Sequence, residues 1–455
     1  MMVPTSGTLL LLLLLPTSGA QALQQLPPSP PAGRQSTAVV TVDTATRFQR
    51  MSGWEANAQS GEAEPGFVGW QAELMDLAAN DLGINRIRVE LRSGAEHTVD
   101  YYGQFRAGMI SESVWSPYKY VWVNDNDDPA TINPNGFKWT ALDEHLDATV
   151  VPLRARLAAR GETLYLNLNY VSFGTSTAQQ DPAEYAELML AAFQHMQSRY
   201  GFVPDAIEVI LEPENTSWRA PRIGQAIAAA GARLAAAGFH PDFIAPSVMK
   251  VANAVPYLDE IVKVPGALTY LKEIAYHRYG GVSDANLLAI HERAVRYGLR
   301  TSMLEHIGSD VEDLYKDLTL AQVSAWQQYT LAYPTRDNGA QYYYIKNGRP
   351  VAGQRTEALR QYFRHVRAGA YRVGAASDTP RVRPVAFTNP DGRVVVVLHL
   401  EGREVLTLKG LPAGYYYAVA APATAGLVYA TEIAAGADFV FAMGLPSVVT
   451  VYQVP

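Results

Sequence analysis

Eight short apolar runs alternate with helix-period segments between residues 52 and 345, and this repetition constrains the fold more than any other feature. A chain that returns strand, helix, strand at such spacing has two solutions, a closed parallel barrel or an open doubly wound sheet. The candidate strands are residues 52–56, 85–91, 163–170, 206–211, 243–246, 273–277, 301–305 and 340–345. Two helix starts are well marked. Asp181-Pro182-Ala183-Glu184 supplies a cap, a proline at the first helical position and an acid at the third, and Tyr185, Met189, Phe193, Met196 and Tyr200 then form one apolar face. Ser309 and Glu312 repeat the capping pattern, and the Ala-rich residues 223–237 form a further helix ending near Gly238. No Gly-x-Gly-x-x-Gly follows an early strand and no Walker-type loop occurs, which disfavours the nucleotide-binding open sheet. The expected fold class is α/β, a (β/α)8 TIM barrel.

The pattern changes near Gly369. Two β runs flank the turn signal Asn389-Pro390-Asp391-Gly392, and the tail stays β-rich, with turns at Leu411-Pro412-Ala413-Gly414 and Gly444-Leu445-Pro446. A C-terminal β-sandwich over residues 369–455 is expected, with the barrel over residues 51–368. The strand-like residues 38–50 are compatible with joining that sandwich. Ahead of them, the apolar run Leu9 to Leu15 and Ala20-Gln21-Ala22 read as a signal peptide of residues 1–22, although no basic residue precedes the run. Residues 23–37 are a Pro-rich linker. A secreted protein, extracellular or periplasmic, without membrane insertion after cleavage is expected. Residues 93–137 form one long connection rich in aromatics, and loops of this length are usually functional or disordered. The aromatics favour an ordered one.

Composition narrows the chemistry. The chain of 455 residues has no cysteine, which removes disulfides, thiolate metal sites and a cysteine nucleophile. A net charge of −7, from 37 basic and 44 acidic residues, offers no electrostatic reason to bind nucleic acid. No His-Glu-x-x-His and no Gly-x-Ser-x-Gly is present. The oxygen-rich stretch Asn124-Asp125-Asn126-Asp127-Asp128 lacks the glycine and terminal glutamate of a calcium loop, so neither a metal nor another cofactor is expected.

Catalytic groups of a β/α barrel sit at the C-terminal ends of its strands. Glu212 follows Val209-Ile210-Leu211 on the fourth candidate strand, and Glu305 follows Ser302-Met303-Leu304 on the seventh. Each alone reads as an exposed strand-end acid. Together, across a cleft, they are what glycosidic cleavage needs. At this point the chain resembles the clan A (β/α)8 retaining glycoside hydrolases, and within them family 30. Glu212-Pro213-Glu214 is similar to the family's Asn-Glu-Pro-Glu, PVAFTNPDGRVVVVL to its sandwich strands, and Ser52-Gly53-Trp54 to the opening of its first barrel strand. The resemblance implies Glu212 as acid/base and Glu305 as nucleophile. It implies a glycoside, oligosaccharide or polysaccharide substrate. It also implies that Arg88, in INRIRVEL, lies near the nucleophile, and that His277 and Tyr279, in AYHRYGG, contact nucleophile or sugar. His306 would point away from the cleft.

One departure stands out. Clan members usually place Asn before the acid/base, where it binds the sugar 2-hydroxyl; here Leu211 stands there, so that contact is either absent or supplied elsewhere, with Asn169 and Asn215 as the candidate substitutes. Trp54, Trp218 and Tyr344 are candidate sugar-stacking residues, although aromatics are more often core. Two other readings stay open: a non-catalytic carbohydrate-binding protein on the same fold, for which Leu211 argues, and a barrel lyase or metal-dependent hydrolase.

Overall fold

The computed structural model describes residues 36–173, 178–333, 337–421, 427–444 and 447–454; the proposed signal peptide, all of the linker except its last two residues, and Leu445-Pro446 of the last turn lie outside them. The first strand, β1 (Ser36–Arg50), belongs to the sandwich. Eight parallel strands then close the barrel: β2 (Gly53–Asn57), β3 (Arg86–Arg92), β4 (Tyr165–Val171), β5 (Ala206–Glu208), β6 (Asp242–Val248), β7 (Leu271–His277), β8 (Arg300–Glu305) and β9 (Ala325–Tyr333). They pair in that order, and β9 returns to both β8 and β2. Gly53 sits where β2 crosses Asn85. A Cβ there would fall 2.6 Å from the Asn85 Oδ1 that accepts the Trp54 amide, so this opening needs glycine.

The eighth strand corrects the sequence reading. Residues 340–345 form β10 (Gln341–Lys346), which lies outside the closed ring, pairing with the far half of β9 and with β11 (Arg349–Ala352). The true closing strand is AWQQYTLAY, whose Gln327 and Gln328 interrupt the apolar run. The 93–137 connection also holds more regular structure than expected, with short helices at Tyr101–Arg106 and Glu112–Trp115. Stacked Tyr101–Tyr118 and Phe105–Trp115 pairs order it. Asp310, rather than Ser309, caps the helix Val311–Lys316.

Charges fill much of the barrel interior. Along β3 the sequence RIRVELR alternates, and Ile87, Val89 and Leu91 pack outward in the main apolar core while Arg86, Arg88 and Glu90 turn inward. Arg86 is fully buried, forked on Glu273 at 2.6 and 3.0 Å and bonded to Glu55. Asn167 bridges Glu55 and Glu208 at 3.0 and 2.9 Å. Buried charges are tolerable only when paired in this way.

The sandwich consists of β1 with β12 (Tyr371–Ser377), β13 (Val382–Thr388), β14 (Val394–Leu400), β15 (Glu404–Lys409), β16 (Gly414–Ala421), β17 (Leu427–Ile433), β18 (Phe439–Met443) and β19 (Ser447–Val454). Their hydrogen-bonded order is β17-β16-β19-β14-β13-β12-β1-β15-β18. The N-terminal strand thus sits inside the C-terminal domain, antiparallel to β12 and parallel to β15. VVVVLHL in β14 is apolar throughout for a physical reason. Val394, Val396, Leu398 and Leu400 face the sandwich core, and Val395 and Val397 face the barrel's.

Candidate active site

The fourth barrel strand ends in a sharp turn. The Val209 amide bonds Ile244 O, the Leu211 amide bonds Tyr170 O and the Glu212 amide bonds Ser247 O. Glu212 itself has φ 47°, a left-handed conformation that costs a non-glycine residue about 1 kcal/mol or more. Pro213 then starts a short 3-10 turn, closed by the Asn215 amide on Glu212 O at 2.9 Å. Backbone strain of this kind, held by hydrogen bonds on both sides, collects at functional positions.

Glu305 ends the seventh barrel strand. Glu212, His277 and Glu305 each bring one side-chain oxygen or nitrogen to within 4.8 Å of the others, and both glutamates are buried. Each acid has its own supports. Arg88 Nη2 donates to Glu305 Oε2, and Tyr279 OH donates to Glu305 Oε1 at 3.0 Å. His277 Nδ1 lies 2.9 Å from Glu212 Oε1, and Asn215 Nδ2 donates to Glu212 Oε2 at 2.7 Å. Burial pushes the Glu212 carboxyl up, but the bond and charge of His277, the Asn215 amide and the charge of Arg88 outweigh it, leaving the group below its usual range. Burial and the Glu305 charge hold the Tyr279 phenol far above its ordinary range, so it stays a donor. Burial opposes the charge on Arg88, yet Glu305 and Glu208 more than restore it.

Three groups here escaped sequence reasoning. Glu208 lies 3.7 Å from Arg88 and accepts from Ser247, whose hydroxyl is 3.4 Å from His277 Nε2. Glu90 accepts from Asn57 at 3.3 Å, Gln59 at 3.2 Å and Arg92 at 2.9 Å. Inward alternation along β3 and β5 was the available signal, and it becomes readable only once the barrel is assumed.

The remaining candidates divide. Asn169 stands in register with Glu90 and Glu208, on the same strand face as Asn167, fully buried and with neither end of its amide hydrogen-bonded. Trp54 and Trp218 are corrections: each is 1 % exposed. Trp54 stacks on Phe363 and bonds Val366 O, and Trp218 packs between Tyr170 and Tyr185, so neither presents a face to a ligand. Tyr344 is also displaced, half-buried on β10 outside the ring. Glu214 is occupied elsewhere, accepting from the amides of Met249 and Lys250 and from Asn253. His306 bonds Ser309 at 2.7 Å. The Glu212–His277–Glu305 triangle has the donors for a metal ion, but Arg88 already supplies the positive charge against Glu305.

The fold and the site together define a (β/α)8 barrel with a strand-exchanged β-sandwich and two carboxylates at the mouth. Comparison with known proteins places this class. Residues 369–422 match the model of the glycosyl hydrolase family 30 beta sandwich domain. The catalytic domain of the family 30 xylanase C of Talaromyces cellulolyticus superimposes with a TM-score of 0.70 at 15 % identity, covering 92 % of this chain and 100 % of that one. The endo-β1,6-glucanase BT3312 gives 0.64 at 16 %, covering 93 % and 96 %, and a conserved exported protein of Bacteroides fragilis gives 0.65 at 15 %, covering 91 % and 100 %. No curated protein matches by sequence. The architecture is that of family 30 glycoside hydrolases, which the chain resembles over nine-tenths of its length.

Proposed function

We propose that the chain is a retaining β-glycoside hydrolase acting on a β-linked glycan or glycoside. The carrying observation is the approach of Glu212 and Glu305 to within 4.8 Å at the ends of the fourth and seventh barrel strands. Carboxyl groups about 5–5.5 Å apart suit double displacement, whereas inversion needs about 6.5–9.5 Å to admit a water. In this mechanism Glu305, oriented by Arg88 and Tyr279, attacks the anomeric carbon. Glu212 gives its proton to the departing oxygen, and the glycosyl–enzyme ester forms. Glu212, now anionic, takes a proton from water, which displaces the sugar from Glu305 with the configuration restored. The low setting of Glu212 suits the second step and demands acidic conditions for the first.

Glu305→Ala should abolish turnover of aryl β-glycosides. Glu212→Ala should retain activity on substrates with good leaving groups and recover with azide. Full activity in either variant would refute the assignment. The second reading, a carbohydrate-binding protein without turnover, draws on one observation: Leu211, buried beside Glu212, can donate nothing to a sugar hydroxyl. Binding without hydrolysis across a polysaccharide panel would select it. Export is part of the proposal, supported by the N-terminal apolar run and by the structural likeness to the conserved exported protein of Bacteroides fragilis. No helix among the described residues is long and apolar enough to cross a membrane.

A further inference from the structure

A second carboxylate cluster joins the long connection after β3 to the helix Pro182–Tyr200. Glu96, Asp125 and Glu184 bring one oxygen each to within 4.8 Å of one another. Glu187, one helical turn beyond Glu184, is 1 % exposed, and neither of its oxygens has a hydrogen-bond partner. Asp125 Oδ1 and Glu184 Oε2 are likewise buried without one. Against these four carboxylates the described residues set a single cation, Arg233, at 4.0 Å from Glu187. Its guanidinium is also engaged by the carbonyls of Pro129 and Ala130.

We infer that Glu96, Asp125, Glu184 and Glu187 form a calcium site that fastens the 93–137 connection to the barrel. The donors are all hard oxygens, and Ca2+ binds such oxygens at about 2.3–2.6 Å, so two ligands of one ion lie at most about 5 Å apart, which Glu96, Asp125 and Glu184 satisfy, with Glu187 added from the next turn of the helix. The remaining geometry is built around the same point. Glu96 Oε1 takes the Asp125 amide at 3.0 Å, and its Oε2 takes Gln179. Asp125 Oδ2 takes the Asn133 amide at 2.6 Å and Asn126 at 3.0 Å, which leaves Oδ1 free. Gly136 lies so close that a Cβ would sit 2.1 Å from that of Asp125, so the backbone is pressed onto the aspartate. Unlike an EF-hand, this site draws its ligands from a loop and a helix distant in sequence, so the Asn124–Asp128 stretch alone shows no calcium motif.

The test is thermal unfolding of the full chain after chelator treatment, with Ca2+ or Mg2+ added back, together with Tb3+ luminescence sensitised by nearby aromatics. A hundredfold excess of Ca2+ over Kd should raise Tm by roughly 3 °C for a domain of this size. Mg2+, which demands a tighter octahedron, should do much less. Glu187→Gln and Asp125→Asn should each abolish the calcium response and the luminescence. In chelator, Glu187→Gln should melt at or above the wild type, since it removes like-charge repulsion. No calcium-dependent shift in the wild type, or an undiminished shift in both variants, overturns the site.

Discussion

Replacing Asn169 with leucine should raise stability and lower activity at once. The Asn169 amide is wholly buried and unbonded at both ends. A buried amide group left without a partner costs about 1–3 kcal/mol. Leucine is nearly the same size and carries no such cost, so Asn169→Leu should stabilise the fold by about 1–2 kcal/mol after imperfect packing is allowed for. The unit Ser36–Pro455 has an unfolding entropy near 0.9 kcal/mol per K at about 2.1 cal/mol/K per residue, so Tm should rise by roughly 1–2 °C. A sugar hydroxyl bonded to this amide in the transition state loses about 1–3 kcal/mol, which is roughly a 5- to 150-fold fall in kcat/KM. Scanning calorimetry and initial rates on an aryl β-glycoside read both quantities from one preparation. A variant that melts several degrees lower with unchanged kcat/KM would show that Asn169 is structural and refute the reasoning.

Arg88→Met should destabilise the protein by about 3–5 kcal/mol in urea titration and remove turnover, because it leaves Glu305 and Glu208 without their cation. Asn215→Ala removes a donor to the ionised Glu212, so that carboxyl titrates higher and the alkaline limb of kcat/KM against pH should move to higher pH. An unmoved limb would separate Glu212 from the acid role. Adding an amide beside the acid with Leu211→Asn should restore part of the activity lost in Asn169→Leu; strictly additive effects in the double-variant cycle would mean that the two positions serve different atoms.

Much of this was legible in the sequence because barrel strands buried on their outer faces read as apolar runs wherever their inner residues are also small or apolar. Where the inner residues are polar, legibility fails. Gln327 and Gln328 hid the closing strand, and the more apolar AQYYYI of residues 340–345 took its place although it only flanks the ring. In RIRVELR the alternation looks like a strand with one solvated face, yet that face is the barrel interior, where each charge meets a partner from another strand. No local pattern announces that pairing, because the partners lie far apart in sequence, as Arg88 and Glu305 do. Aromatic side chains failed for the opposite reason. Trp54 and Trp218 stand beside motif residues, but strand periodicity turns Trp54 outward onto Phe363, and the connection after Asn215 packs Trp218 against Tyr170 and Tyr185. Glu212 and Glu305 were visible because a carboxylate directly after an apolar strand has nowhere to go but the barrel mouth.

The unusual Leu211 becomes intelligible from that mouth. Its amide is bonded to Tyr170 O, which sets it beside the end of β4, one residue beyond Asn169 on the neighbouring strand. An amide at 211 and an amide at 169 would therefore approach the same opening from adjacent strands. Only one of the two is present, and it is the one left without protein partners. A buried polar group in a native fold is ordinarily satisfied. Asn169 lies on the barrel's inner face in register with Glu90 and Glu208, where a substrate hydroxyl would satisfy it if one binds there. If a substrate hydroxyl does bond Asn169, the change at 211 would move that contact from the fourth barrel strand to the third, and would alter which sugar fits before it alters whether the bond is cut.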